Sequence, residues 1–473
     1  MWIGHVISCF MLRQMEFDAD RYEARLVGAG TFESTCRELS NLGLSYQKSL
    51  ADLSSSWKEG RLADSLPALV GANRRTMDAE LLRRIAQQVD ATETGLLDTH
   101  PADKDRIASA HREGKPAVFR SQLPATALFR DFRQLAANVS LDFYRLNLGD
   151  HIRHQDLHSV EQLVTQQQKT GEEQETLVRF FQGTAHVLRP LRVAAQASPD
   201  RVDPGALLKE LVTQREILSH GQATYQKHLE RYDEADTRLI TTLQAQALLA
   251  AGLKIRAEEF GLKRSDVTVA EAEKARLERR LSQLDAPMAE FENAAAGRLH
   301  HALKLLELGK LVDRHDDLRG FHQQRPRLIA AAAAFSSGFD LLRELRNNYA
   351  VLGILGAQLE DHGDKEQLVA RFSELSAELY RRLVALSDGW SDVAYPFEHA
   401  DANATLGSYA VPAIPAADDV GEIYALAEEA LRRSFELYVR IMGRLAFMAE
   451  RLESELGLEP LARPGEDPSK ARE

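Results

Sequence analysis

The sequence predicts an all-α protein, and three observations support this fold class. Apolar residues recur every three or four positions over long stretches, and this spacing places them on one face of a helix. Glycine and proline, which disfavour helix interiors, number only 28 and 15 among 473 residues. Aromatic residues make up only 7% of the chain, whereas the residues that favour helices, such as alanine, leucine and glutamate, are abundant.

Changes in composition and pattern divide the chain into four segments. The first is predicted to hold several short helices, the second to be a connecting segment, the third to be a long-helix bundle or a coiled-coil-like extension, and the fourth to be a disordered polar tail. In this order the segments are residues 1–115, 116–155, 156–458 and 459–473.

Particular residues predict the local structure within these segments. Gly43 predicts a boundary between two helices, and residues 116–122 predict a lone strand or an extended linker. A heptad-like seam lies in the third segment, and Pro287 within it predicts a kink or a break. The seam consists of Leu277, Leu281, Leu284, Met288, Phe291 and Ala295.

Charge and cysteine content exclude some classes of protein. The net charge of −12 argues against a nucleic-acid-binding protein, which would present a basic surface. Two cysteines, Cys9 and Cys36, cannot form a disulfide framework. The apolar stretch 1–12 is shorter than the roughly 20 residues that cross a membrane. It is interpreted either as the exit half of a membrane helix or as a buried amphipathic helix.

Histidines provide only weak candidates for metal binding. His151, His154 and His158 share one face by spacing if that stretch is helical. A row of this kind is far more often a solvated or half-buried helix face than a metal site. The same interpretation applies to His399 and to the pair His300-His301.

Glu16 and Asp20 are the strongest candidates for chemistry. Their spacing places both carboxylates on one helix face, one turn apart, directly after the apolar stretch. Carboxylates near a membrane are costly unless a partner such as a metal ion pairs with them. The alternative is a solvated helix face with alternating charges.

The residues around this pair resemble a known family. The run from Met15 to Tyr22, followed downstream by Thr99-His100-Pro101 and Arg106-Ile107, is similar to membrane zinc metallopeptidases of the HtpX and CAAX prenyl protease type. In that family a His-Glu-x-x-His helix provides two zinc ligands and the general base, and a Glu-x-x-x-Asp helix provides the third ligand. The resemblance covers residues 1 to about 115, and more weakly 116 to 150.

The resemblance implies a role for each matching residue. Glu16 would be the third zinc ligand, and Asp20 would orient a ligating histidine through a hydrogen bond. His100 would stabilise a developing oxyanion near the zinc, or it would cap or pack before Pro101. Arg106 is expected to be structural and to pair with a nearby acid.

The chain departs from the family in one essential feature, because no His-Glu-x-x-His occurs in it. A catalytic zinc needs three protein ligands and an open position for water, and Glu16 provides one. We therefore expect residues 1–115 to be a partial metallopeptidase domain, N-terminally truncated and inactive by itself. A misplaced start site, a split gene and a true loss of catalysis remain alternatives.

Two functions follow from these observations. The leading hypothesis is a zinc-dependent metalloendopeptidase, with one zinc per complete protein, that hydrolyses protein or peptide substrates. A missing N-terminal segment would anchor it in the cell membrane, and Arg13, Arg21 and Arg25 indicate that most of the chain is cytoplasmic. The alternative is a non-enzymatic helical scaffold that binds partners or self-associates, since residues 155–458 contain no catalytic motif.

Overall fold

The computed structural model describes residues 2–193, 203–308, 315–362 and 365–465, and the fold class predicted from sequence is confirmed. Thirteen α-helices lie in these residues: α1 (Trp2–Val27), α2 (Ala29–Trp57), α3 (Leu66–Arg75), α4 (Ala79–Ala91), α5 (Asp103–Glu113), α6 (Phe132–Leu148), α7 (Val160–Phe181), α8 (Pro204–Ala250), α9 (Val267–Glu307), α10 (Asp316–His362), α11 (Glu366–Gly389), α12 (Leu406–Ala410) and α13 (Val420–Glu455).

The chain divides into two compact units, Met1–Gln167 and Gln168–Glu473, which we call the N-terminal and the C-terminal unit. The division falls inside α7. The segment boundaries predicted from composition, after residues 115 and 155, do not coincide with the division between the two units.

Two long helices, α1 and α2, begin the N-terminal unit. Gly28 separates them with a φ of 87°, a conformation that favours glycine. The predicted boundary at Gly43 is wrong, because α2 continues through it. A glycine inside a helix costs about 1 kcal/mol relative to alanine. The face of α2 that buries Phe32, Cys36 and Leu53 offsets this cost.

Two small apolar clusters form the core of the N-terminal unit. The first gathers Ala24, Phe32, Cys36, Ile107 and Ala110 from α1, α2 and α5. The second gathers residues of α2, α3, α6, α7 and the segments between them, namely Leu53, Leu62, Ala63, Leu66, Leu69, Ala72, Leu141, Tyr144, Ile152, Val160 and Leu163. Each helix therefore buries only part of its surface.

A parallel sheet of two strands, each two residues long, contributes to the second cluster. Strand β1 (Leu62–Ala63) pairs with β2 (Leu157–His158), with Leu62 opposite Leu157. His158 lies in β2 and His154 lies in a short 3₁₀ turn, so the predicted helical row of histidines is wrong.

The segment 116–122 forms neither helix nor strand and bends at Val118, so the predicted lone strand is wrong. The amides of Val118 and Phe119 both donate to the carbonyl of Leu26, at 3.0 and 2.8 Å. These bonds tie the segment to the end of α1.

Five long helices, α8, α9, α10, α11 and α13, build the C-terminal unit as an antiparallel bundle. Tyr225 of α8 contacts Glu292 of α9, whereas Arg238 contacts Glu273, so the two helices run in opposite directions. α10 is antiparallel to α13 by the same reasoning, since Arg451 pairs with Asp317 near one end and Tyr424 stacks on Tyr349 near the other. One continuous apolar core connects these helices.

The predicted seam lies on α9 and faces this core. Leu277, Met288 and Phe291 are buried, and Leu281 and Leu284 pack against the cluster. Pro287 lies inside α9, so of the two predicted outcomes, a kink or a break, the break does not occur. Proline removes one backbone hydrogen bond, and burial of the seam on both sides of it holds the helix together.

The end of the chain contacts the bundle as far as it is described. Leu461 packs on the core, and the carbonyl of Ala462 accepts a hydrogen bond from Gln182 Nε2 at 2.8 Å. The rest of the predicted disordered tail, 466–473, lies outside the described residues. Among the described helices, none combines the length and apolar character needed to cross a membrane.

Candidate functional site

The structure brings the two motifs of the N-terminal unit together in two side-chain pairs. His100 Nδ1 contacts Glu16 Oε1. Arg106 donates two hydrogen bonds to Asp20, from Nε to Oδ2 at 2.8 Å and from Nη2 to Oδ1 at 2.7 Å. Each of the two carboxylates on this face of α1 therefore contacts one side chain that lies more than 80 positions away in sequence.

Contacts between α1 and the turn that precedes α5 explain why His100 reaches Glu16. Arg13 Nη1 donates to the carbonyls of Gly95 and Leu96, at 3.4 and 3.3 Å, and also to that of Asp98. The buried Cys9 thiol donates to the carbonyl of Leu97 at 3.3 Å. The turn is thus held against the first half of α1, and His100 follows it directly.

The Asp20–Arg106 pair is a buried link between α1 and α5. Asp20 is only 3% exposed. The two hydrogen bonds to its carboxylate raise the pKa of the Arg106 guanidinium above its ordinary value. The expected pairing of Arg106 with a nearby acid is observed, and its structural role remains a prediction. The family resemblance implied that Asp20 orients a histidine, and its observed partner is this arginine instead.

The Glu16–His100 pair lies nearer to solvent. The His100 side chain is 77% exposed and that of Glu16 is 29% exposed. A carboxylate and an imidazole in contact are two of the ligand types that zinc accepts. The position therefore offers an accessible pair of metal-binding groups, which the buried neighbouring pair does not.

These two side chains do not complete a zinc site. Catalytic zinc is held by three protein ligands. Within the part of the chain that the structure describes, no three His, Cys, Asp or Glu side chains are grouped so that they could hold a metal ion. We therefore derive no catalytic step through zinc from these residues.

The other candidate histidines lie apart from this site. Burial lowers the pKa of both His300 and His301, which lie on α9 in the C-terminal unit. His399 Nδ1 accepts a hydrogen bond from the amide of Asp401 at 3.0 Å. Their surroundings are those of structural histidines.

Sequence reasoning missed a buried network of ion pairs in the C-terminal unit. Arg298 and Glu453 form a fully buried pair, Arg215 also binds Glu453, and Arg179 binds Glu450. The signal was present in the sequence, because Glu450 and Glu453 occupy positions on the apolar face of α13. Charges at such positions indicate buried partners.

Comparisons with models of known protein families, with characterised proteins and with solved structures gave no match for this chain. The resemblance to HtpX-type peptidases therefore rests on the two short sequence motifs alone.

Loss of the buried carboxylate is expected to loosen α5 from α1. Asp20→Asn should lower the free energy of unfolding of the N-terminal unit by about 2 kcal/mol, because the Arg106 charge loses its main partner in a partly buried position and keeps only the longer contact with Asp103, at 3.7 Å. Amide hydrogen exchange in α1 and α5 measures this loss. Asp18→Asn is the matched control: Asp18 is 66% exposed and pairs only with Arg21, so a change within about 0.5 kcal/mol is expected. Equal effects of the two variants would contradict the assignment.

Proposed function

We propose that the N-terminal unit contributes Glu16 as a metal ligand to a zinc metalloendopeptidase of the HtpX-like type, and that the chain by itself is inactive. The observation that carries the proposal is the pairing of the two motifs, Glu16 with His100 and Asp20 with Arg106. The two missing ligands would come from a histidine-bearing segment absent from this sequence.

The surface of the N-terminal unit supports the proposal. Most of the large apolar side chains that are exposed in the described residues belong to this unit, and only Val178, Leu308, Val369 and Ile414 belong to the other. On α1 alone, Trp2, Phe10, Met11 and Met15 are more than half exposed, as is Tyr22. Large exposed apolar surfaces mark sites of contact with another protein part or a membrane. Such a surface is what the proposed partial domain would present to its missing part.

The test compares zinc content in two preparations of the protein. The chain produced alone should bind no stoichiometric zinc and should not cleave casein in a chelator-sensitive manner. The proposal places the protein at the cell membrane, with most of the chain cytoplasmic, so tagged protein is also isolated from the membrane fraction of its own cells. This native material should contain about one zinc per chain, as a catalytic zinc site requires.

Two variants identify the ligand in the native material. Glu16→Ala should abolish zinc binding and proteolysis, because a site with two remaining ligands loses most of its affinity. Glu23→Ala, an exposed change on the same helix, should leave both unchanged. Zinc retained by Glu16→Ala, native protein free of zinc, or robust proteolysis by the chain alone would each disprove the proposal.

A cleft in the C-terminal unit favours the alternative function, a helical scaffold that binds a partner. The cleft has a volume of about 750 Å³ and lies among α8, α9, α10 and α11. Leu239 and Leu243 line it together with charged side chains such as Lys274, Glu278 and Arg382. Native material free of zinc but stably bound to another protein would support this alternative.

A further inference from the structure

Helix α6 of the N-terminal unit carries an apolar stripe that its own unit leaves uncovered. One face of α6 is fixed in the core, where Tyr144 donates to the carbonyl of Ala63 at 3.0 Å and Ser140 accepts from the amide of Leu66 at 2.8 Å. Beside this face lies a second row of apolar side chains. The row consists of Phe132, Leu135, Val139, Phe143 and Leu146.

The spacing of this row is that of a helix-pairing seam. Its members follow one another by three, four, four and three positions, so they form a narrow stripe along the helix. Leu135, Val139 and Leu146 are 40%, 54% and 86% exposed, and Phe132 and Phe143 are half-buried. A seam of this kind is stabilised by a second helix with matching spacing.

We propose that a second copy of this chain covers the stripe, with the two α6 helices antiparallel and a two-fold axis at Val139. The axis places Val139 against itself, Phe132 against Leu146 of the other copy, and Leu135 against Phe143 of the other copy. Every apolar residue of the stripe then meets an apolar partner, which is the self-complementarity that a two-fold interface requires.

The charges that border the stripe are compatible with this pairing. Asp142 lies beside the stripe and is exposed, and the same axis sets it opposite Ala136. Arg145 Nε is turned back to the carbonyl of Ile152, at 3.1 Å. The same axis sets Arg145 opposite Arg133 of the other copy, and its hydrogen bond to Ile152 holds the Arg145 side chain against its own copy.

The apolar area is sufficient for a specific dimer. Leu128 and Phe129, in the turn before α6, are 84% and 47% exposed and add apolar surface beyond the helix, where the axis sets Asp150 and Gly149 of the other copy. At roughly 100 Å² for each of the side chains, the surface amounts to about 700 Å² per copy, close to the ~800 Å² that each partner buries in a standard interface.

Sedimentation of the full chain and of its variants tests the proposal. The unmodified chain should be a dimer at micromolar concentration. Leu146→Asp and Val139→Asp should raise the dissociation constant at least about 30-fold, because each buries a charge in the apolar seam. Leu39→Asp, at a 61% exposed position on α2, should leave the dimer intact. Circular dichroism confirms folding, and Leu146 is exposed enough to tolerate the change.

Disulfide trapping tests the direction and position of the pairing. Val139→Cys should form an intermolecular disulfide under mild oxidation, since the two copies of residue 139 face each other. Leu146→Cys should not, because antiparallel pairing separates the two copies of residue 146 by about 21 Å. A monomeric unmodified chain, a dimer insensitive to both aspartate variants, or the opposite cross-linking pattern would overturn the proposal. None of these readouts involves zinc, so the result is independent of the proposed function.

Discussion

Replacing Arg298 with alanine is expected to destabilise the C-terminal unit by about 4 kcal/mol, because the change leaves a buried carboxylate without its main partner. Arg298 and Glu453 are both fully buried. Arg298 Nε and Nη2 donate to the two carboxylate oxygens of Glu453 at 2.8 and 2.6 Å, and Nη1 donates to the carbonyl of Phe180 at 2.6 Å. The guanidinium also lies 3.8 Å from the centroid of the Phe180 ring, so its removal opens a cavity there.

Urea unfolding combined with amide hydrogen exchange in α9 and α13 measures this effect. Arg280→Ala, an exposed change on the same helix, is the control and should alter stability by less than about 0.5 kcal/mol. Arg298→Lys should recover only part of the loss, because an ammonium lacks the planar fork that matches a carboxylate. A loss below about 1 kcal/mol for Arg298→Ala would show that Glu453 is adequately held by Arg215.

A second large effect is expected at Gly407. Gly407→Ala should lower the free energy of unfolding by about 3 kcal/mol, because the added methyl group overpacks the site. A Cβ atom at this position would lie 2.3 Å from the carbonyl oxygen of Ser387 and 3.2 Å from the amide nitrogen of Ser391. Both contacts are with backbone, which cannot move aside as a flexible side chain can. The Gly407 amide also donates to the carbonyl of Trp390 at 3.1 Å, so α12 must approach the end of α11 this closely.

Gly389 provides the matched control for this variant. It lies at the end of α11, and a Cβ there would meet no atom within 4 Å. Gly389→Ala should therefore be neutral or stabilising by up to about 1 kcal/mol. Thermal unfolding and amide exchange at Leu406, which donates to the carbonyl of Val393 at 2.8 Å, report on the docking of α12. Equal stabilities of the two variants would contradict the expected clash.

The sequence was most informative where a property depends on near neighbours in the chain. The seam of α9 follows from apolar spacing. Local signals failed for the boundary at Gly43 and the break at Pro287, because burial of the flanking apolar face outweighs the local cost of glycine or proline in a helix. The helix propensity of one residue predicts a helix end only locally, whereas the free energies of many residues together decide whether the helix continues.

At the candidate site, too, the sequence predicts what depends on near neighbours and not the contacts between distant residues. The spacing of Glu16 and Asp20 places them on one helix face, and the expected pairing of Arg106 with an acid is observed in its bond to Asp20. The resemblance implied that His100 lies near a zinc bound by Glu16, but it did not predict the direct contact between the two side chains. That contact depends on the turn that Arg13 holds against α1, and no local pattern records it.

The sequence by itself determined that this protein is helical and which residues of each helix share a face, because both depend on spacing along the chain. Only the tertiary structure decided which faces meet. It paired Asp20 with Arg106, joined Arg298 to Glu453 inside the bundle, and left the stripe of α6 uncovered. The physical reason is that long-range pairing is set by how all the helices bury their apolar surface together, a property of the whole fold.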